Sequence, residues 1–204
     1  MVSLAGIVLA AGLSTRMGRP KLLLELGNKS VIYRVVKAAA ASQLDELVIV
    51  TGRHHDPLLQ SLGELSRHPK LQTAYNETPE AGMASSIVAG MKSIMPRKRD
   101  GVMIILGDQA KLTKDVIDHL LAVFSESPSA IVAPTVDGRR TTPVIFPRRF
   151  FPALLSLSGD RGGRSILEAN PGAVVRVELG DIYDDMDIDT LQDWEKMIAC
   201  PTHD

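Results

Sequence analysis

Apolar residues fall along the chain in two kinds of pattern. Unbroken apolar runs at Leu4–Leu9 (LAGIVL), Glu46–Thr51 (ELVIVT) and Gly101–Leu106 (GVMIIL) each stop at a glycine or within three residues of one. Short runs bounded by turn residues predict strands buried on both faces. Between them, apolar residues recur at helical spacing in Ser30–Ala41 (SVIYRVVKAAAA), with Ser30 in the N-cap position. The same spacing predicts helices from Asp56-Pro57 to about Leu65, over Ala81–Met95 and over Thr113–Phe124. Lys70–Tyr75 and Ser129–Ala133 add weaker strands. Beyond them the pattern loosens: Thr142–Phe146 and Ala173–Leu179 read as strands, Arg149–Leu157 and Gly163–Ala169 as helices, and Thr190–Ala199 as a terminal helix. Strands alternating with helices predict a Rossmann-like, doubly wound α/β fold with a mostly parallel sheet. The last two strands leave room for one antiparallel member. With no repeat, linker or low-complexity tract, residues 1–204 are expected to form a single domain.

In such a fold ligands bind beyond the carboxyl ends of the strands, so the residues after each apolar run matter most. The first run leads into LAAGLSTRMGRPK, Leu9 to Lys21, where glycines, hydroxyls and cations replace the apolar residues. Glycines let the chain turn sharply and let a ligand approach the backbone. Exposed amides would form an anion-binding concavity, to which Arg16 and Lys21 add formal charge, and the stretch reads as a triphosphate cradle. An ordinary glycine-rich turn carrying stray cations stands level with it on composition alone. Two better-known phosphate motifs are excluded. A P-loop needs four residues between its glycines, whereas five separate Gly12 from Gly18, and Ser14 breaks G-x-G-x-x-G.

Composition narrows the function classes. The formal net charge of −1 argues against a general nucleic-acid or membrane-surface binder, although a basic pocket can hide in a neutral total. No apolar run approaches the roughly 20 residues that span a bilayer, and the N-terminus has no signal-peptide pattern. A single cysteine, Cys200, cannot form an internal disulfide, which is compatible with a reducing compartment, and a cytoplasmic protein is expected.

Other strand ends also carry chemistry. Asp108 follows Gly101–Leu106 in LGDQA, where a carboxylate could hold a hard cation or simply cap a turn. Asp181–Asp189 (DIYDDMDID) crowds five carboxylates. Asp181, Asp184 and Asp185 read as a solvated acidic turn, while alternation places Asp187 and Asp189 on one face of an extended segment. His54 and His55 are adjacent and diverge on a helix, so they do not make a zinc site. The absence of G-x-S-x-G removes the commonest clue to a serine hydrolase.

The LAAGLSTRMGRPK stretch closely resembles the signature of the molybdenum cofactor nucleotidyltransferase family, the cytidylyl- and guanylyltransferases. The resemblance runs collinearly over about residues 4 to 195. It implies the fold of nucleotide-diphospho-sugar transferases and transfer of a nucleotide monophosphate to a phosphorylated acceptor with release of pyrophosphate. Residues implied to bind nucleotide are Leu9, Ala10, Ala11, Gly12, Arg16, Lys21, Gly82, Ser86 and Asp108, with Arg16, Lys21 and Asp108 catalytic. Gly107-Asp108 resembles the family's G-D-x-P segment, whose aspartate binds the catalytic Mg2+, with Ala110 in place of proline, a change expected to loosen the turn. Asp187-Ile188-Asp189-Thr190 resembles D-I-D-T-P-x-D, which implies Asp189 as second metal ligand with Asp187 as the alternative, and Asp193 as a helix cap. Asn76–Ser86 resembles the segment beside base and ribose, with Ser85 more ordinary. Arg140-Thr141-Thr142 departs from the usual G-H-P or G-N-P. Gly159–Arg164 (GDRGGR) is similar to the cytidylyl branch, and Arg161 and Arg164 could meet the acceptor's phosphate. The acceptor implied is molybdopterin, and the L-A-A-G start implies CTP over GTP, the Ala11 methyl occupying space that a purine would need. Guanylyl transfer, another phosphorylated acceptor and a non-catalytic nucleotide-binding module stay open, as does transient contact with a protein that delivers or accepts the cofactor.

Overall fold

The computed structural model describes residues 2–12, 20–95, 97–188 and 190–199. The strands in chain order are β1 (Leu4–Leu9), β2 (Glu25–Leu26), β3 (Lys29–Ser30), β4 (Glu46–Thr51), β5 (Leu71–Tyr75), β6 (Gly101–Leu106), β7 (Ile131–Val136), β8 (Arg139–Arg140), β9 (Val144–Pro147) and β10 (Val174–Glu178). The α-helices are α1 (Val31–Ala41), α2 (His55–Leu62), α3 (Met83–Ile94), α4 (Lys114–Glu126), α5 (Phe151–Leu155), α6 (Arg164–Ala169) and α7 (Leu191–Ala199). One sheet runs β10-β7-β9-β6-β1-β4-β5, with β8 paired to β7. β9 is antiparallel to both neighbours, and the remaining pairs along that path are parallel. The expected doubly wound, mostly parallel sheet is therefore present, and Thr142–Phe146 supplies its antiparallel member.

Strand alternation divides the core into two layers. Leu4, Val8, Leu47, Ile49, Met103 and Ile105 face one side, where α1, α2, α4 and α7 cover them. Ala5, Ile7, Val48, Val50, Val102 and Ile104 face the other, beneath α3, α5 and α6. Being covered on both faces explains why these strands read as unbroken apolar runs. Helix starts follow local chemistry. The Ser30 hydroxyl accepts from the Tyr33 N–H at 3.2 Å, and Thr113 Oγ1 accepts from the Val116 N–H at 3.3 Å. Thr190 and Asp193 cap α7 reciprocally: Asp193 N–H donates to Thr190 Oγ1 and Thr190 N–H to Asp193 Oδ2.

Differences from expectation sit at element ends. Gly63, at φ 54°, stops α2 at Leu62, and Gly63–Arg67 continues as a 3-10 turn. Pro79–Ala81 forms another, so α3 begins at Met83 rather than Ala81. The β2–β3 hairpin and β8 are additional elements. An Asp137-Gly138 turn with both φ positive joins β7 to β8, the geometry a two-residue hairpin requires. Among the described residues no helix is long and apolar enough to cross a membrane.

Candidate functional site

The topology places a crevice between β1 and β6. From β1 the chain winds out through β4 to β5, then returns across the sheet to β6, so the strand order reverses there. Leu9 pairs with Leu106 in register, and the Gly107 N–H donates to the Leu9 carbonyl at 3.0 Å. A Cβ at residue 107 would lie 2.7 Å from that carbonyl oxygen, so only glycine permits this approach. Asp108 consequently emerges beside the end of β1. Lys21 reaches it from the 3-10 turn Lys21–Leu23, its Nζ donating to Asp108 Oδ2 at 2.5 Å. The side chains are 19% and 14% exposed, so the pair is partly desolvated and stronger than a surface ion pair.

These residues line a cleft of about 360 Å3 together with Leu9, Ala11, Gly12, Gly82 and Ser86. Three separate stretches singled out in the sequence thus converge. Arg16 and Asp189, the other expected phosphate and metal contacts, lie outside the described residues, as does Cys200. Ala10 differs from expectation. Alternation along β1 turns its side chain away from the cleft into the core with Leu4 and Val8, and its N–H donates to the Val50 carbonyl at 2.8 Å. Ala11 lines the cleft, but its methyl group packs toward Gly52, where an added Cβ would lie 3.3 Å away. Ser86 is buried and its hydroxyl accepts from Asn76 Nδ2 at 3.0 Å. Ser85 donates to the Gly82 carbonyl at 2.8 Å and accepts from the same amide, an ordinary first-turn role.

Gly82 serves a contact that the sequence did not suggest. Its φ is 96°, and a Cβ there would lie 2.4 Å from Asp160 Oδ1 and 2.7 Å from the Gly159 carbonyl. The Gly159–Arg164 segment is thereby laid on the start of α3, where the Ala84 N–H donates to the Gly159 carbonyl at 3.0 Å. This contact separates the cleft from a larger chamber of about 1010 Å3, and Met83, Leu106 and Asp160 line both. The chamber has an apolar floor that includes Ile104, Val144 and Phe146, and a rim with Arg139, Arg140, Arg161 and Arg164. Arg161 and Arg164 each pair with Glu168.

Two departures from the family pattern acquire physical meaning here. The Ala110 N–H donates to the Asp108 carbonyl at 3.1 Å, a bond proline could not make. Thr142 Oγ1 donates to Gln109 Oε1 at 2.6 Å, tying the β9 end to the residue after Asp108.

The acidic segment closes the chamber from the far side. Asp185 and Asp187 line it, whereas Asp184 pairs with Lys111 outside. Partial burial acts to raise the Asp184 pKa, but hydrogen bonds from Lys111 and the Met186 N–H outweigh it and hold the carboxyl below its ordinary value. Tyr183 is buried beneath these groups, and its hydroxyl has no hydrogen-bond partner among the described residues. Burial pushes the phenol well above its ordinary pKa, and the charges of Asp187, Asp185, Asp108 and Asp184 act in the same direction. One buried O–H therefore feels Asp108 and Asp187 together. Hard carboxylate oxygens, one of them already neutralised by a lysine ammonium, fit a small divalent cation. Among the described residues no three carboxylates or histidines cluster tightly enough to enclose an ion, so water or substrate oxygens would complete its shell, as magnesium prefers. Tyr183, Gln109 and Asp160 lie within stretches quoted from the sequence, which assigned none of the three a role.

Comparison with known proteins agrees with this geometry. Residues 6–174 match the model of the MobA-like NTP transferase domain. The purine catabolism protein PucB of Bacillus subtilis is 31% identical over 197 residues, covering 94% of each chain. Rv0371c from Mycobacterium tuberculosis H37Rv superposes with a TM-score of 0.83 at 23% identity, over 97% of this chain and 98% of that one. Its manganese complex gives a TM-score of 0.80 at 21% identity, over 98% and 100% of the two chains. The chain belongs to the MobA-like NTP transferase family and is a nucleotidyltransferase.

Proposed function

We propose that the enzyme transfers CMP from CTP to the phosphate of molybdopterin, using Mg2+ and releasing pyrophosphate, within one domain. The observation that carries this reading is the division of the site: a smaller cleft at Lys21 and Asp108 opens past Met83, Leu106 and Asp160 into a larger, arginine-rimmed chamber with an apolar floor. Such a chamber suits a flat heterocycle bearing an anionic group, because aromatic faces pack on apolar side chains while the rim meets the charge. The LAAG start supports cytidine, and the crystallised manganese complex of the Mycobacterium tuberculosis neighbour supports a divalent cation.

In this reaction an oxygen of the acceptor phosphate attacks the α-phosphorus of CTP. A phosphorus–oxygen bond forms as the bond to the β-phosphate bridge breaks, and pyrophosphate departs with that electron pair. Asp108 and Asp189 would hold magnesium, with Asp187 the alternative to Asp189, and the ion would supply charge neutralisation at the phosphates. Lys21 holds the triphosphate, and the chamber orients the acceptor, so positioning and electrostatics carry the rate rather than a covalent nucleophile. The acceptor reaches the chamber free or from a protein that delivers it.

The test is pyrophosphate release with CTP, GTP, ATP and UTP against molybdopterin and sugar phosphates. CTP with molybdopterin should give the highest kcat/KM. A preference for GTP would overturn the base assignment, and turnover confined to a sugar phosphate would overturn the acceptor.

A further inference from the structure

We infer that Gln109 holds the acceptor's phosphate at the reacting edge of the larger chamber, through the N–H donors of its side-chain amide. The inference rests on the reading above that the acceptor is a phosphorylated molecule. Asp108 and Gln109 are consecutive, yet they serve different spaces: Asp108 lines the smaller cleft and Gln109 the chamber. Gln109 is 2% exposed, and Thr142 Oγ1 fixes its orientation by donating to Oε1 at 2.6 Å. The amide nitrogen makes no hydrogen bond among the described residues, and Gln109 lines the chamber. Buried side-chain donors are almost always satisfied, and one left open beside a binding space marks where a ligand acceptor belongs.

The donor's chemistry suits its place. A lysine or arginine here would compete with a cation for Asp108, next to which the Lys21 ammonium already lies. A neutral amide can bind a phosphate oxygen without that competition. Because Thr142 orients it in advance, it needs no reorganisation when the phosphate arrives. The threonine that departs from the family pattern thus becomes a positioning residue for Gln109. A purely structural strut between β6 and β9 would need only the bond to Oε1.

The test separates these roles by their effect on the two substrates. Gln109→Glu and Gln109→Met should each raise the acceptor KM about 10- to 100-fold, with CTP affinity measured by calorimetry unchanged. Thr142→Val should give a smaller rise, and Thr142→Ser, which keeps the hydroxyl, a smaller one still. In parallel, inorganic phosphate is titrated into protein saturated with Mg2+ and a non-hydrolysable CTP analogue. Phosphate should bind the parent at least about 10-fold more tightly than Gln109→Met. An unchanged acceptor KM, an equal loss of CTP affinity, or equal phosphate binding by parent and Gln109→Met would each overturn the inference. If molybdopterin proves no substrate, only the acceptor's identity falls, and the phosphate titration still decides the role of Gln109.

Discussion

A lysine in contact with the carboxylate proposed to hold a metal ties together two events that are usually treated apart. Lys21 and Asp108 neutralise each other at 2.5 Å, so a cation arriving alone must displace the ammonium, whereas a triphosphate offers Lys21 another anion. Lys21→Ala should therefore weaken CTP binding by about 10- to 150-fold while tightening Mn2+ binding without nucleotide, both measurable by calorimetry. Looser metal binding in that variant would contradict the competition. Asp108→Asn keeps the size but removes the charge a hard cation needs, and turnover should fall by about 100-fold or more with metal-free CTP affinity little changed. Single-turnover pyrophosphate release checks the first quantity and calorimetry the second.

Among elements, the contact between α3 and the Gly159–Arg164 segment is the most exacting. Gly82→Ala would force alanine to φ 96° and drive a methyl to within 2.4 Å of Asp160 Oδ1. The backbone strain alone is worth about 1–3 kcal/mol, so urea melts should show at least that loss. At the opposite edge, the Thr135 hydroxyl bond to Glu178 outweighs burial and, with N–H groups of Gly180, Gly138 and Asp137, holds that carboxyl below its ordinary pKa. A depressed folded pKa gives stability present above the unfolded value and lost as pH falls through the folded one. Protection of β10 amides from hydrogen exchange should thus decline below about pH 4, and Glu178→Gln should flatten that dependence. Such edge contacts are also where sequence reading stopped. β1, β4 and β6 were legible to the residue, because burial on both faces leaves an unbroken apolar run. β8 is too short and too charged for any periodicity, although the Asp137-Gly138 turn before it carries a hairpin signal. In the site, Asp108 and Lys21 were legible from the motif. The roles of Tyr183 and Asp160, inside quoted stretches, were not, because their neighbours in space come from segments far away in the chain, which no local pattern encodes.

For the whole molecule, the cleft and the chamber are two compartments that meet at Met83, Leu106 and Asp160, and the proposed function assigns one to each substrate. Helix α7 meets the hairpin that follows Lys21: Trp194 Nε1 donates to the Glu25 carbonyl at 3.2 Å. Trp194→Ala should therefore lower stability and CTP affinity together, in contrast to the site variants, as a thermal melt with and without CTP would show. The adjoining compartments also have a kinetic consequence. Once the two substrates are joined, one molecule occupies both spaces, and each half raises the local concentration of the other at its own subsite. The linked product should leave more slowly than either precursor, making release rather than bond formation the slow step. Rapid-quench measurements should then show a pre-steady-state burst of about one pyrophosphate per enzyme before the slower linear phase. A strictly linear time course would mean that the two halves let go independently.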